Sequence, residues 1–106
     1  MATLVFDQEY RLARDTPYDI NEHIEVLKNL ADSVEHVTEM GTRTGVSTRA
    51  FLASDVTLRA YDLFLDEYVS KLFELAQKEG KDAKYIGANV LETEIDDTDL
   101  LFIDTW

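Results

Sequence analysis

The sequence contains no cysteine, which excludes disulfides, thiolate metal sites and a cysteine nucleophile together. One proline and four glycines leave few breaks in 106 residues, so a compact fold is expected rather than a disordered tail. Basic side chains are scarce. Ten lysines and arginines stand against 22 aspartates and glutamates, and the resulting net charge of -12 repels phosphate backbones and anionic membrane surfaces. Long apolar runs are missing as well: Leu100-Leu101-Phe102-Ile103 falls far short of the roughly 20 residues of a membrane span. The N-terminus lacks the basic-then-apolar pattern of a secretion signal. A cytoplasmic protein is therefore expected, with a small molecule as partner and neither nucleic acid nor membrane.

What is present is 45% apolar residues without a repeat, a low-complexity stretch or a linker, which fits one small domain with a modest core. Residues 1–33 read as an N-terminal arm and helix, and residues 34–106 as the body of the domain. Met1 to Pro17 is open between a short helix and an arm. From Asp19, a candidate cap with Glu22 three residues on, Ile20, Ile24, Leu27 and Leu30 recur at helical spacing and predict a helix to about Asp32. Val34 to Met40 is short and runs into glycine, which predicts a strand. A helix should begin near Gly45 and carry Val46, Ala50, Phe51 and Leu52. The alternation of Val56, Leu58 and Ala60 predicts a second strand to Tyr61. Leu65 to Glu79 places Val69, Leu72, Phe73 and Ala76 on one helical face, closed by Gly80. Tyr85 to Val90 is a third strand candidate. Leu100 to Ile103 is an unbroken apolar run of the sort found in a strand covered on both faces. Strand and helix alternate in the order of a parallel sheet with crossover helices, so the fold class is α/β, Rossmann-like, with about four strands.

Chemistry concentrates at the ends of these strands. Glu39-x-Gly41-x-x-x-Gly45 leads from strand to helix, where glycines permit close backbone approach and the free N–H groups of a helix start form a polar cradle. A structural turn also demands glycine, so the pair alone leaves both readings open. Asp62 stands about 20 residues further on, at the end of the second strand, where a carboxylate accepts both hydroxyl hydrogens of a ribose. A helix cap or a solvated turn is its plainer use. Together the two features point to a nucleoside-containing ligand without choosing between a nicotinamide dinucleotide and S-adenosylmethionine.

The run Glu39-Met40-Gly41-Thr42-Arg43-Thr44-Gly45-Val46-Ser47 resembles motif I of class I S-adenosylmethionine-dependent methyltransferases, in particular the branch containing catechol O-methyltransferase. It departs from the Gly-x-Gly-x-x-Gly fingerprint of dinucleotide enzymes. Tyr61-Asp62 resembles motif II, Gly87-Ala88-Asn89-Val90 the adenine-contacting segment after strand 3, and Leu101-Phe102-Ile103-Asp104-Thr105-Trp106 the motif ending strand 4. The resemblance covers roughly residues 34 to 106. It implies that Gly41, Thr42 and Gly45 pass the backbone beside the methionine part of the cofactor, that Glu39 orders the loop or helps hold the amino group, and that Ser47 meets the carboxylate. It further implies Asp62 on the ribose hydroxyls, Asn89 at the adenine edge, Val90 packed on the ring and Trp106 as a second wall.

Asp104 would be the catalytic position and, by the same resemblance, a ligand of a magnesium-type ion that acidifies an acceptor hydroxyl. One carboxylate makes no cage, and a strand-end carboxylate near a positive sulfonium is its plainer role. His23 and His36 lack partners at metal spacing. Glu92, Glu94, Asp96, Asp97 and Asp99 read as a solvated connection. A complete member of the family resembles a seven-stranded sheet, so the chain is expected to be a fragment ending after strand 4, with that strand left at an edge. A homodimer through the edge of strand 4 would cover it. The expected function is methyl transfer to a small-molecule acceptor. The alternative is a non-catalytic S-adenosylmethionine-binding half-domain or interaction module completed by a second chain.

Overall fold

The computed structural model describes residues 4–16, 21–89 and 92–104. Helix α1 (Leu4–Asp15) settles the open N-terminal reading: Phe6, Tyr10 and Ala13 recur on one face and are buried. The expected cap at Asp19 and the apolar Ile20 lie outside the described residues. A single 3₁₀ turn, Asn21–His23, leads into α2 (Ile24–Asp32), which buries Ile24, Leu27 and Ala31. Leu30, counted on that face from its spacing, is largely exposed. The remaining elements are β1 (His36–Met40), α3 (Val46–Leu52), β2 (Thr57–Asp62), α4 (Glu67–Lys78), β3 (Ala83–Gly87) and β4 (Leu100–Ile103).

Helix α4 shows how local chemistry sets the boundaries. Its predicted start at Leu65 moves to Glu67 because Asp66 serves as the cap, its side chain accepting the Val69 N–H at 3.0 Å. At the other end Gly80 adopts φ +84°. Its N–H reaches the Gln77 carbonyl at 3.1 Å and the Lys81 N–H reaches Ala76 at 2.9 Å, so two carbonyls that the helix leaves unpaired are satisfied. Strand β3 then begins at Ala83 and ends at Gly87, earlier at both ends than its sequence suggests.

The four strands are all parallel, in the order β3-β2-β1-β4. The architecture is thus the α/β, Rossmann-like sheet with flanking helices. Val37, Leu58, Ala60 and Ala83 from the strands share one hydrophobic cluster with Ala50, Phe51 and Leu52 of α3, Val69, Leu72, Phe73 and Ala76 of α4, and Phe6, Ile24 and Ala31 of the first two helices. The rings of Phe51 and Phe102 meet edge to face at 5.8 Å, and those of Phe73 and Tyr85 stack at 5.1 Å. Strand β4 is covered on one face only. Leu100 and Phe102 pack on the core while Leu101 and Ile103, on the opposite face, stay 43% and 58% exposed; as expected, β4 is a sheet edge among the described residues, pairing there with β1. Since every strand runs the same way, Met40, Asp62, Gly87 and Ile103 all end on one side of the sheet.

Two glycines separate backbone strain from steric exclusion. A Cβ on Gly80 would meet open space, whereas one on Gly45, at φ +88°, would stand 2.9 Å from Val69 Cγ2. Gly80→Ala should therefore cost about 1 kcal/mol, the left-handed penalty alone, and Gly45→Ala about 2–3 kcal/mol. Urea denaturation of the two variants should return that order, and adding Val69→Ala should recover part of the loss for Gly45→Ala only.

Candidate functional site at the carboxyl edge of the sheet

The connection from β1 to α3 takes five residues, Gly41 to Gly45, to reverse direction. Gly41 and Gly45 both lie at φ +88° and Arg43 at φ +49°, the left-handed region that side chains resist. The Gly41 N–H still pairs with the Tyr61 carbonyl at 2.8 Å, extending the β1–β2 ladder by one bond, and the Gly45 N–H closes the turn on Thr42 at 2.9 Å. Bare Cα atoms are needed here for a second reason, since Gly45 lies against Val69 of α4.

Asp62 holds this loop from the neighbouring strand. Its Oδ2 accepts the N–H groups of Thr42 at 2.9 Å and Arg43 at 3.1 Å and the Thr42 hydroxyl at 3.2 Å. Its Oδ1 meets only the Phe64 N–H, at 3.4 Å, among the described residues. A second link runs through Tyr85 on β3. The phenol accepts the Asp66 N–H at 3.0 Å and lies 2.9 Å from the Thr42 oxygen. With Thr42 donating to Asp62, Tyr85 must donate to Thr42, so one proton direction satisfies the whole chain. β1, β2, β3 and the start of α4 are thereby joined at one loop.

Glu39 sits below the loop and is fully buried. Ser47 and Thr48, in the first turn of α3, each donate a hydroxyl to it, Thr48 to Oε1 at 2.8 Å and Ser47 to Oε2. Burial pushes its carboxyl up to about 7; the two hydroxyls oppose that, and the negative charges of Asp104 and Asp62 reinforce it. Asp104 follows β4, where its N–H pairs with the Met40 carbonyl at 2.8 Å, and it is half-buried.

The structure therefore brings Glu39, Gly41, Thr42, Gly45, Ser47, Asp62 and Asp104 together. Ser47, expected to meet a ligand carboxylate, is buried with its hydroxyl committed to Glu39. Asn89 lies exposed on the same side, just past β3, its carbonyl accepting Glu92 N–H at 3.0 Å and the Thr93 hydroxyl at 2.7 Å. Val90 and Trp106 lie outside the described residues. Among the described residues no three His, Cys, Asp or Glu side chains gather to hold a metal ion, so the donor set does not fit a metal at Asp104. The acidic connection is partly structural: Asp99 accepts the N–H groups of Glu35 and His36 at the start of β1, and His36 Nδ1 lies 3.1 Å from the Thr98 hydroxyl. Sequence reasoning missed Tyr85 and Thr48. Tyr85 shares the face of Gly87 two residues from the strand end, and that period of two was the available signal.

Beyond the loop, Leu12, Ala13, Thr16, Thr44, Val46 and Arg49 line an open cleft of about 360 Å³ between α1 and the start of α3. Arg49 is mostly buried there, with Glu9 3.6 Å away and the Tyr68 ring 5.0 Å beneath its guanidinium. No helix among the described residues is long and apolar enough to cross a membrane.

No protein-family model matches the chain, and no curated protein does. Among solved structures, the chain is similar to the crystal structure of the SAH-bound methyltransferase PaMTH1 of Podospora anserina, with a TM-score of 0.65 and 17% identity. The match covers 97% of this chain and 50% of that one, so this chain spans half the length of its structural neighbour. What the two share is the fold.

Two measurements test the site as built. Tyr85→Phe removes two hydrogen bonds and should cost about 1–2 kcal/mol, with amide exchange quickening at Thr42 and Asp66 before the rest of the sheet. Glu39 gives the second. The native state holds its proton up to about 7 while an unfolded glutamate releases it near 4.5, so the native state binds more protons between those values and stability rises as pH falls through that window. Urea midpoints should show a gain of roughly 1–3 kcal/mol from pH 7.5 to 5.5, flattened in Glu39→Gln.

Proposed function

We propose that the chain forms the S-adenosylmethionine-binding half of a methyltransferase that acts on a small-molecule acceptor. The observation that carries this reading is the meeting of the Gly41–Gly45 turn with Asp62 at the carboxyl edge of a parallel sheet, the place where open α/β folds bind nucleoside ligands. The SAH-bound state of the structural neighbour supports the choice of ligand.

Which residues would hold the cofactor follows from what each has to spare. Asp62 uses Oδ2 on the loop, and Oδ1, with its one long contact, is left for the ribose hydroxyls. Leu63 and Phe64, both exposed beside it, offer apolar surface to a ring held there. Asn89, just past β3, would meet the adenine edge, and the sequence resemblance gives Val90 and Trp106 the role of packing on the ring. Gly41, Thr42 and Gly45 bring backbone rather than side chains to the methionine portion, while Ser47 acts through Glu39. Bound there, the cofactor supplies an electrophilic methyl group on a sulfonium. Asp104, half-buried at the end of β4, is the chain's own carboxylate for taking the proton of an acceptor hydroxyl. Positioning supplies the rest of the rate. The net charge of -12 argues against a nucleic-acid acceptor.

Coverage favours a second reading in one respect. Because the chain matches half of its neighbour, binding without turnover by this chain, with the acceptor pocket in a complementary half, is the alternative. Calorimetric titration with S-adenosylmethionine and S-adenosylhomocysteine tests both. Binding is expected, and Asp62→Ala should weaken it at least tenfold, about 1.4 kcal/mol. Failure of both ligands to bind would sink the assignment; binding with transfer only in a longer chain would select the second reading.

A further inference from the structure

Glu39 is the one fully buried carboxylate among the described residues, and no basic side chain bonds to it. Its two oxygens meet the neutral hydroxyls of Ser47 and Thr48 from α3. The charged groups acting on it from the adjoining strands are Asp62 at the end of β2 and Asp104 at the end of β4, both negative. Arg49, the cation of α3, is committed to Glu9 and the Tyr68 ring. Three acidic side chains near three neighbouring strand ends thus stand around a loop whose own cation is Arg43, and among the described residues no basic side chain bonds to Glu39.

Accepting the proposed function, we infer that this site selects for positive charge in its ligand and that a cationic ligand displaces the proton of the Glu39 carboxyl into solvent. In the empty site a bound proton relieves the crowding of like charges. A sulfonium or ammonium group arriving at the strand ends supplies the same relief from outside, so the carboxyl proton leaves to the buffer as the cation settles. The burial of Glu39 strengthens the effect, because charges interact more strongly where water is excluded. S-adenosylmethionine carries a fixed positive sulfur and S-adenosylhomocysteine does not. The site accordingly favours the charged form, and favours it more as pH rises through the range in which an empty site would hold the proton.

Calorimetry in two buffers of different ionisation enthalpy, at pH 6, 7 and 8, reads the proton directly. At pH 7 S-adenosylmethionine should release about half a proton from the wild-type chain, and its affinity should rise about tenfold from pH 6 to 8 beyond any change seen with Glu39→Gln. The ligand's own amino group titrates against both proteins alike, so the difference between them isolates Glu39. S-adenosylhomocysteine should release a smaller fraction. Equal proton release from wild type and Glu39→Gln, with binding intact, would overturn the inference and leave the proposed function standing. Binding by neither ligand would overturn both. Should Glu39→Gln fail to fold, a carboxyl ¹³C titration of the wild-type chain decides the matter: the Glu39 midpoint should fall on adding S-adenosylmethionine, and an unmoved midpoint refutes the linkage.

Discussion

One carboxylate oxygen, Asp62 Oδ2, holds the candidate site in shape. A turn containing three left-handed residues is not a conformation the chain adopts for its own sake, and each such residue that is not glycine adds cost. Two backbone N–H groups and a hydroxyl converging on one oxygen over-determine the turn. The order of the sheet makes this possible, because β1 and β2 are neighbours with Met40 opposite Tyr61, so Asp62, the last residue of β2, stands level with the start of the loop that follows β1. Tyr85 carries the same constraint across to β3 and to the cap of α4, tying a helix start to a loop 24 residues earlier.

Glu39 works against stability in the same place. Burying a carboxyl under an apolar core is unfavourable unless it is paired or protonated, and here two hydroxyls only partly compensate. The surrounding core pays for it: Phe51, Leu52 and Val37 are fully buried around the same strand and helix. Position rather than composition gives the residue its chemistry, since most of the other acidic side chains sit at the surface.

Much of this was legible in the sequence because it rests on short-range rules. The alternation in β2, the buried face of α4 and its glycine stop depend on neighbours within a turn or two, and the structure departs from them by a residue or two at the ends. The glycine turn and Asp62 were legible as a pair for the same reason, each marking a strand end. Tyr85 was not, because its hydroxyl acquires meaning only once β3 lies beside β2 and the loop folds over both. Ser47 was expected from the family resemblance to meet a ligand carboxylate; in the fold its hydroxyl goes to the buried Glu39 instead, a contact set by the packing of α3 on β1. The edge position of β4 was expected, but its unbroken apolar run suggested cover on both faces, and which face a helix covers depends on packing that no window along the chain contains.

The bare flank of β4 bears on how the chain behaves in bulk. Leu101 and Ile103, on a strand that is the sheet edge among the described residues, make an adhesive strip, and in dilute buffer the net charge of -12 holds like molecules apart over tens of ångströms. That protection is electrostatic and the strip is not. Raising the ionic strength to about 1 M shortens the reach of the repulsion to about 3 Å without weakening the strip, so the colloid should become stickier in brine.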